Sequence, residues 1–121
     1  MRTSIAAITF DCRNAGTLAA FWSAALSRPV DDDESQAGEF FASIGRTNQT
    51  LGMPAMMFIQ VPENKAVKNR VHLDLDTDDR EATVDRLLEL GATRVHDKDE
   101  WGVNWTTLLD PEGNEFCVAQ H

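Results

Sequence analysis

Residues 70–76 read Arg-Val-His-Leu-Asp-Leu-Asp, a run in which apolar and polar side chains alternate without a break. A strand turns successive side chains to opposite faces, so Val71, Leu73 and Leu75 share one face and His72 and Asp74 the other. A helix is expected from about Thr77 or Asp78, with Val84, Leu87 and Leu88 as its apolar stripe and Gly91 as its stop. Shifting the sequence by 65 residues lays Ala7 on His72, Ile8 on Leu73 and Phe10 on Leu75. The earlier strand, 5–12, also leads into a helix. Asn14 is its N-cap, and Leu18, Phe21, Trp22, Ala25 and Leu26 make one stripe. Arg28-Pro29 ends it, because a residue before proline is pushed out of helical geometry. A shift of 66 lays Leu18 on Val84 and Phe21 on Leu87, which implies one residue gained in the second linker.

Three weaker strand-like segments follow each strand–helix pair, at 29–33, 38–46 and 55–61 and again at 92–97, 101–109 and 115–120. The order βαβββ is thus written twice, with the polar, proline-bearing stretch Pro62–Lys68 as the join. Such a module is too small to stand alone. The expected fold class is therefore α+β, with modules of about 1–62 and 69–121 forming one domain around a cupped mixed sheet and a shared cavity. Parity sends Ile8, Phe10, Leu73, Leu75, Phe116 and Val118 beneath the helices. Ala7, Thr9, Asp11, His72, Asp74, Glu115 and Cys117 are sent to the cavity, and Phe58 and Gln60 share one face of their strand.

The 121 residues carry 20 acidic and 11 basic side chains, for a net charge of -9. So acidic a surface repels phosphate backbones, which argues against nucleic acid and anionic membranes as partners. No apolar run nears the roughly 18 residues that cross a bilayer, and no leader cleavage pattern follows the N-terminus, so a cytoplasmic location is expected. Cys12 and Cys117 lack CxxC spacing and are expected as reduced thiols. There is no tyrosine, glycine-rich phosphate loop, G-x-S-x-G elbow or HExxH pair. Asp31–Glu34 reads as a solvated acidic loop and DPEGN (110–114) as a tight turn.

The stretches ITFDC…LAAFW, VPENKAVKNRVHLDL, LLELGATRV and DPEGNEFCV span nearly the whole chain. In combination they resemble the vicinal oxygen chelate superfamily of glyoxalase I, extradiol dioxygenases and bleomycin-resistance proteins, and more narrowly the short glyoxalase-like domain proteins of actinobacteria. The resemblance implies the paired βαβββ fold and a homodimer. It also implies a four-ligand centre for a divalent metal (Zn, Ni, Mn or Fe), one ligand on each of four cavity strands. His72 falls on such a position, but Ala7 has no donor, Cys117 replaces a carboxylate, and neither Phe58 nor Gln60 is acidic.

The leading expectation is therefore a protein that binds a small organic molecule, with no cofactor and without the standard metal centre. Trp105, as a flat apolar wall, would hold the ligand together with Phe58, Gln60, Thr9 and Cys117. His72, Asp74 and Glu115 are the acid–base candidates for an enzymatic alternative, a metal-free catalyst or a lyase, isomerase or dioxygenase with an altered metal site at His72 and Cys117. A module whose cavity is filled by its own side chains is the third reading.

Overall fold

In the computed structural model, which describes residues 1–120, the chain divides into two units, Met1–Asn64 and a second beginning at Lys65. The first holds β1 (Ala7–Cys12), α1 (Ala15–Leu26), β2 (Phe41–Ile44) and β3 (Ala55–Gln60). The second holds β4 (Leu73–Thr77), α2 (Arg80–Leu90), β5 (Thr93–Glu100), β6 (Val103–Leu109) and β7 (Glu115–Gln120). The sheets run β1-β3-β2 and β4-β7-β6-β5. In each, the opening strand lies parallel to the closing strand, and the other pairings are antiparallel. The strand expected at 29–33 is reduced to one antiparallel bridge, Val30 to Ile44. Pro29 has no N–H for a ladder, and the Asp31 side chain is drawn into other bonds described below. With that bridge counted, both units show the same strand order. The molecule is α+β, built from two βαβββ-like modules.

The caps place the helices. Asn14 accepts from the Thr17 amide at 3.1 Å and Asp79 from the Ala82 amide at 3.1 Å, each from an extended backbone (φ -140° and -146°). Asp79 takes the cap while Thr77 completes β4, so α2 begins later than the sequence pattern places it. Asn14 and Asp79 stand at the same 65-residue shift as the strands, so no residue is gained in the second linker. Val84 corresponds to Ala19, not Leu18, and Leu87 to Trp22; both members of each pair are buried. At the far end of α2, Gly91 (φ 121°) donates back to the Leu87 and Leu88 carbonyls.

Each helix buries its stripe on one sheet face. In the first unit Leu18 and Trp22 join Ile44, Met56 and Phe58; in the second Val84 and Leu87 join Leu108, Phe116 and Val118. Phe58, expected as a cavity wall, is fully buried, its ring 5.3 Å from Phe10, which in turn lies 5.8 Å from Trp22. Alternation along β3 is as expected, but α1 covers the face that Phe58 occupies. Each fully buried aromatic side chain contributes about 2–3 kcal/mol by removal from water.

Asp31 also departs from expectation. It is 4% exposed, and its carboxylate accepts from Ser43 Oγ (2.6 Å), the Arg46 amide (3.0 Å), Thr47 Oγ1 (2.9 Å) and the Asn48 amide (3.2 Å). Burial alone would raise its pKa, but these donors outweigh it and bring it down to about 2. The acid run is a loop anchor at its first residue. Asp32 and Glu34 are exposed. Among the described residues no helix is long and apolar enough to cross a membrane.

Candidate ligand pocket on the second sheet

Register across the second sheet brings distant residues into one row. Asp74 stands opposite Cys117, Cys117 opposite Thr107, and Thr107 opposite His96. The next row is Asp76, Ala119, Trp105 and Lys98. Leu108, Phe116 and Val118 fill the opposite face with α2, so Thr107, Cys117 and Ala119 must point away from the helix. On that side lies a cavity of about 630 Å³, lined by Lys68, His72, Asp74, His96, Trp101, Val103, Trp105, Thr107, Glu115, Cys117 and Ala119.

One end is polar. His72 Nε2 lies 3.3 Å from Asp74 Oδ1, and the donor atoms of His72, Asp74 and Cys117 all lie within 4.8 Å of one another. Cys117 Sγ and Thr107 Oγ1 are 3.5 Å apart. Burial chiefly, with help from the neighbouring Asp74 charge, holds the Cys117 thiol above its ordinary pKa, against the pull of Thr107 and Lys68. Cys117 is therefore a protonated thiol at neutral pH.

Glu115 is fastened differently. Its carboxylate accepts from Lys65 Nζ at 3.3 Å and from the Asn69 amide at 3.1 Å, while its own amide donates to Asn69 Oδ1 at 2.9 Å. Burial pushes its pKa up, but the Asn69 and Lys65 interactions prevail and hold it below the usual range. Glu115 stays ionised and ties the 65–69 segment to β7. Lys65 and Asn69 thus fasten the segment leading into β4 to the start of β7.

The other end is aromatic. The Trp101 and Trp105 rings stack nearly parallel, centroids 6.0 Å apart at 11°. Trp101 and Gly102 form the two-residue turn between β5 and β6, both at positive φ (53° and 75°), the pattern of a type I′ hairpin. Glycine suits that geometry; tryptophan does not, since a bulky side chain there costs about 1–2 kcal/mol. Trp101 nonetheless occupies it and is 87% exposed.

The structure thus gathers Trp105, His72, Asp74, Glu115 and Cys117 around one cavity. Thr9, Phe58 and Gln60 belong to the first unit: Thr9 is exposed, Phe58 is core, and Gln60 donates to the Arg13 carbonyl at 3.0 Å. Lys68, His96, Trp101, Val103, Thr107 and Ala119 line the cavity beyond the expected set. A register shift between Arg94 and His96 breaks the alternation that would have shown His96 facing the cavity. The dipeptide Trp101-Gly102 did carry a hairpin signal, in the glycine at the second turn position.

A family model described as a glyoxalase-like domain matches residues 7–119. No curated protein sequence matches the chain. Among solved structures, a hypothetical protein from S. aureus is similar at 16% identity and a TM-score of 0.73, covering 100% of this chain and 95% of its own. A glyoxalase/bleomycin resistance protein/dioxygenase family enzyme from Burkholderia phytofirmans is 20% identical, with a TM-score of 0.69 and 98% of both chains covered. The fosfomycin resistance protein FosX from Mesorhizobium loti is 13% identical, with a TM-score of 0.69, 98% of this chain and 92% of its own. At these identities the likeness is one of fold. On the family match across nearly its whole length, the chain belongs to the glyoxalase-like domain family, within the vicinal oxygen chelate superfamily.

Proposed function

We propose that the second unit binds a small, ring-bearing organic molecule in its cavity, without the four-ligand metal centre that the superfamily resemblance implies. The observation that carries this reading is the Trp101–Trp105 pair. An exposed tryptophan is laid over a second indole at the cavity, in a left-handed turn position that glycine would fill with less strain. Its gain lies in what it touches, and two flat indoles favour a planar partner by offset stacking. The cavity volume of about 630 Å³ suits a drug-sized molecule. An open hollow of that size also weighs against a module packed full by its own side chains. The net charge of -9 favours neutral or cationic ligands over anionic ones.

The test is a thermal-shift screen of planar heteroaromatic amines with their neutral and acidic analogues, followed by titration of tryptophan fluorescence. Binders are expected among the amines and neutral compounds. Trp105→Ala is expected to weaken them about tenfold or more, from lost stacking and lost burial together. Equal binding by that variant and the wild type would remove the aromatic wall from the reading.

The His72–Asp74 pair, at 3.3 Å and facing the same cavity, supports a second reading as an acid–base lyase or isomerase. It predicts that His72→Ala abolishes turnover of a carbonyl substrate while ring binding persists.

A further inference from the structure

We propose that Arg28 anchors a second ligand site, contained within the first unit, for an organic molecule that carries one carboxylate and an apolar tail. Arg28 stands just past the C-cap of α1. There its amide donates to the Ser23 carbonyl at 3.1 Å, and its own carbonyl accepts from Ser23 Oγ at 2.6 Å. From that fixed backbone the side chain runs inward, and the residue is 7% exposed. A buried guanidinium is costly to keep unless acceptors surround it. Nη1 has one, the Pro54 carbonyl at 3.3 Å. Nε and Nη2 are both buried and have no hydrogen-bond partner among the described residues.

Those two atoms belong together chemically. Nε–H and the adjacent Nη2–H run parallel along one edge of the guanidinium plane, and that edge matches the two oxygens of a carboxylate. Pro54 therefore holds the group at Nη1 and leaves unpaired the fork that recognises anions. Gly45 makes the room for it. A side chain there would set its Cβ 2.1 Å from Nη2, and the backbone at Gly45 has a φ of 76° that suits glycine as well.

Gly45 and Pro54 also line a cavity of about 980 Å³, together with Ile5, Arg46, Leu51 and Met53. The guanidinium thus touches two residues of the cavity wall, and the rest of the wall decides the class of ligand. Ile5, Leu51 and Met53 are exposed apolar side chains, which leave water by closing on an apolar tail. Arg46 is engaged with Asp33 at 3.0 Å, which leaves Arg28 as the cation for the ligand. The net charge of -9 opposes any second negative charge, so a monocarboxylate fits better than a phosphate. Asp31 clasps residues 46–48, so the stretch that swings outward to admit the carboxylate is 49–53. That stretch is itself a turn, closed by the Met53 amide on the Thr50 carbonyl at 3.1 Å.

The experiment follows the arginine Nε–H signals of the isotope-labelled full chain by NMR during titration with sodium hexanoate. The Arg28 signal is assigned from its own backbone. Hexanoate is expected to shift it saturably and hexanol to leave it unmoved. Acetate and inorganic phosphate are expected to bind at least about tenfold more weakly than hexanoate, for want of the tail. Arg28→Lys keeps the charge but loses the fork, and is expected to weaken hexanoate at least about tenfold. Circular dichroism checks that it is folded. Leu51→Ser, at an exposed side chain, is the second variant and is expected to weaken hexanoate while leaving acetate unchanged. A signal that hexanoate does not move, or moves no more than hexanol does, overturns the site. Unchanged hexanoate affinity in a folded Arg28→Lys or in Leu51→Ser overturns it too, and phosphate binding as tight as hexanoate overturns the ligand class.

Discussion

Asp31 shows how one carboxylate holds a loop whose sequence gives no sign of it. The donors that surround it come from Ser43 and from residues 46–48, far along the chain. Nothing in the run Asp-Asp-Asp-Glu marks the first acid as different from its neighbours. With its pKa held near 2 against 3.8 when unfolded, Asp31 contributes about 2 kcal/mol of stability. That contribution is complete above about pH 5 and is lost as pH falls through 3.8 towards 2. Asp31→Asn is therefore expected to lower stability at neutral pH, with the gap to wild type closing in acid; urea unfolding at pH 7, 4 and 2.5 measures it. A gap of constant size would mean that shape rather than charge holds the loop. Cys117 is the contrasting case, since parity on either side of Phe116 was enough to place its side chain.

The β5–β6 hairpin has a turn that would be easier to form with another residue at its first position. Trp101→Gly relieves a left-handed tryptophan, for an expected gain of up to about 1 kcal/mol, while removing the outer indole. The expected outcome is an unchanged or higher melting temperature together with weaker ring binding, read by thermal shift in the absence and presence of ligand. A lower melting temperature with unchanged binding would make Trp101 a structural residue. The elements themselves were largely legible: the Asn14 cap, the RVHLDLD strand and all three later strands of the second unit follow from local pattern, while α2 is capped by Asp79, past the start that pattern gives it. The strand at 29–33 and the face of Phe58 were not, because pairing to β2 and coverage by α1 are decided by packing between segments.

On the scale of the whole molecule, duplication was readable because the βαβββ order recurs at a shift of about 65 residues, and the two units share a strand order and a parallel closing pair. Part of the cavity's lining was readable as well, since His72, Asp74, Glu115 and Cys117 follow from strand parity, whereas His96 depends on a bulge and Trp101 on a hairpin turn. The parallel closing pair also has a kinetic side. In the second unit, β5, β6 and β7 form a meander of neighbouring hairpins, whereas β4 reaches β7 only by closing a loop of some forty residues. Contacts between near neighbours along the chain form early, and loop closure of that length comes late. Asp74 is therefore expected to meet Cys117 near the end of folding, after the rate-limiting barrier. Anything bound between them stabilises the finished protein without stabilising the transition state. A saturating ligand should slow unfolding in stopped-flow denaturant jumps and leave the refolding rate unchanged. The last contact made in folding would then be the one whose occupancy sets how long the folded molecule survives.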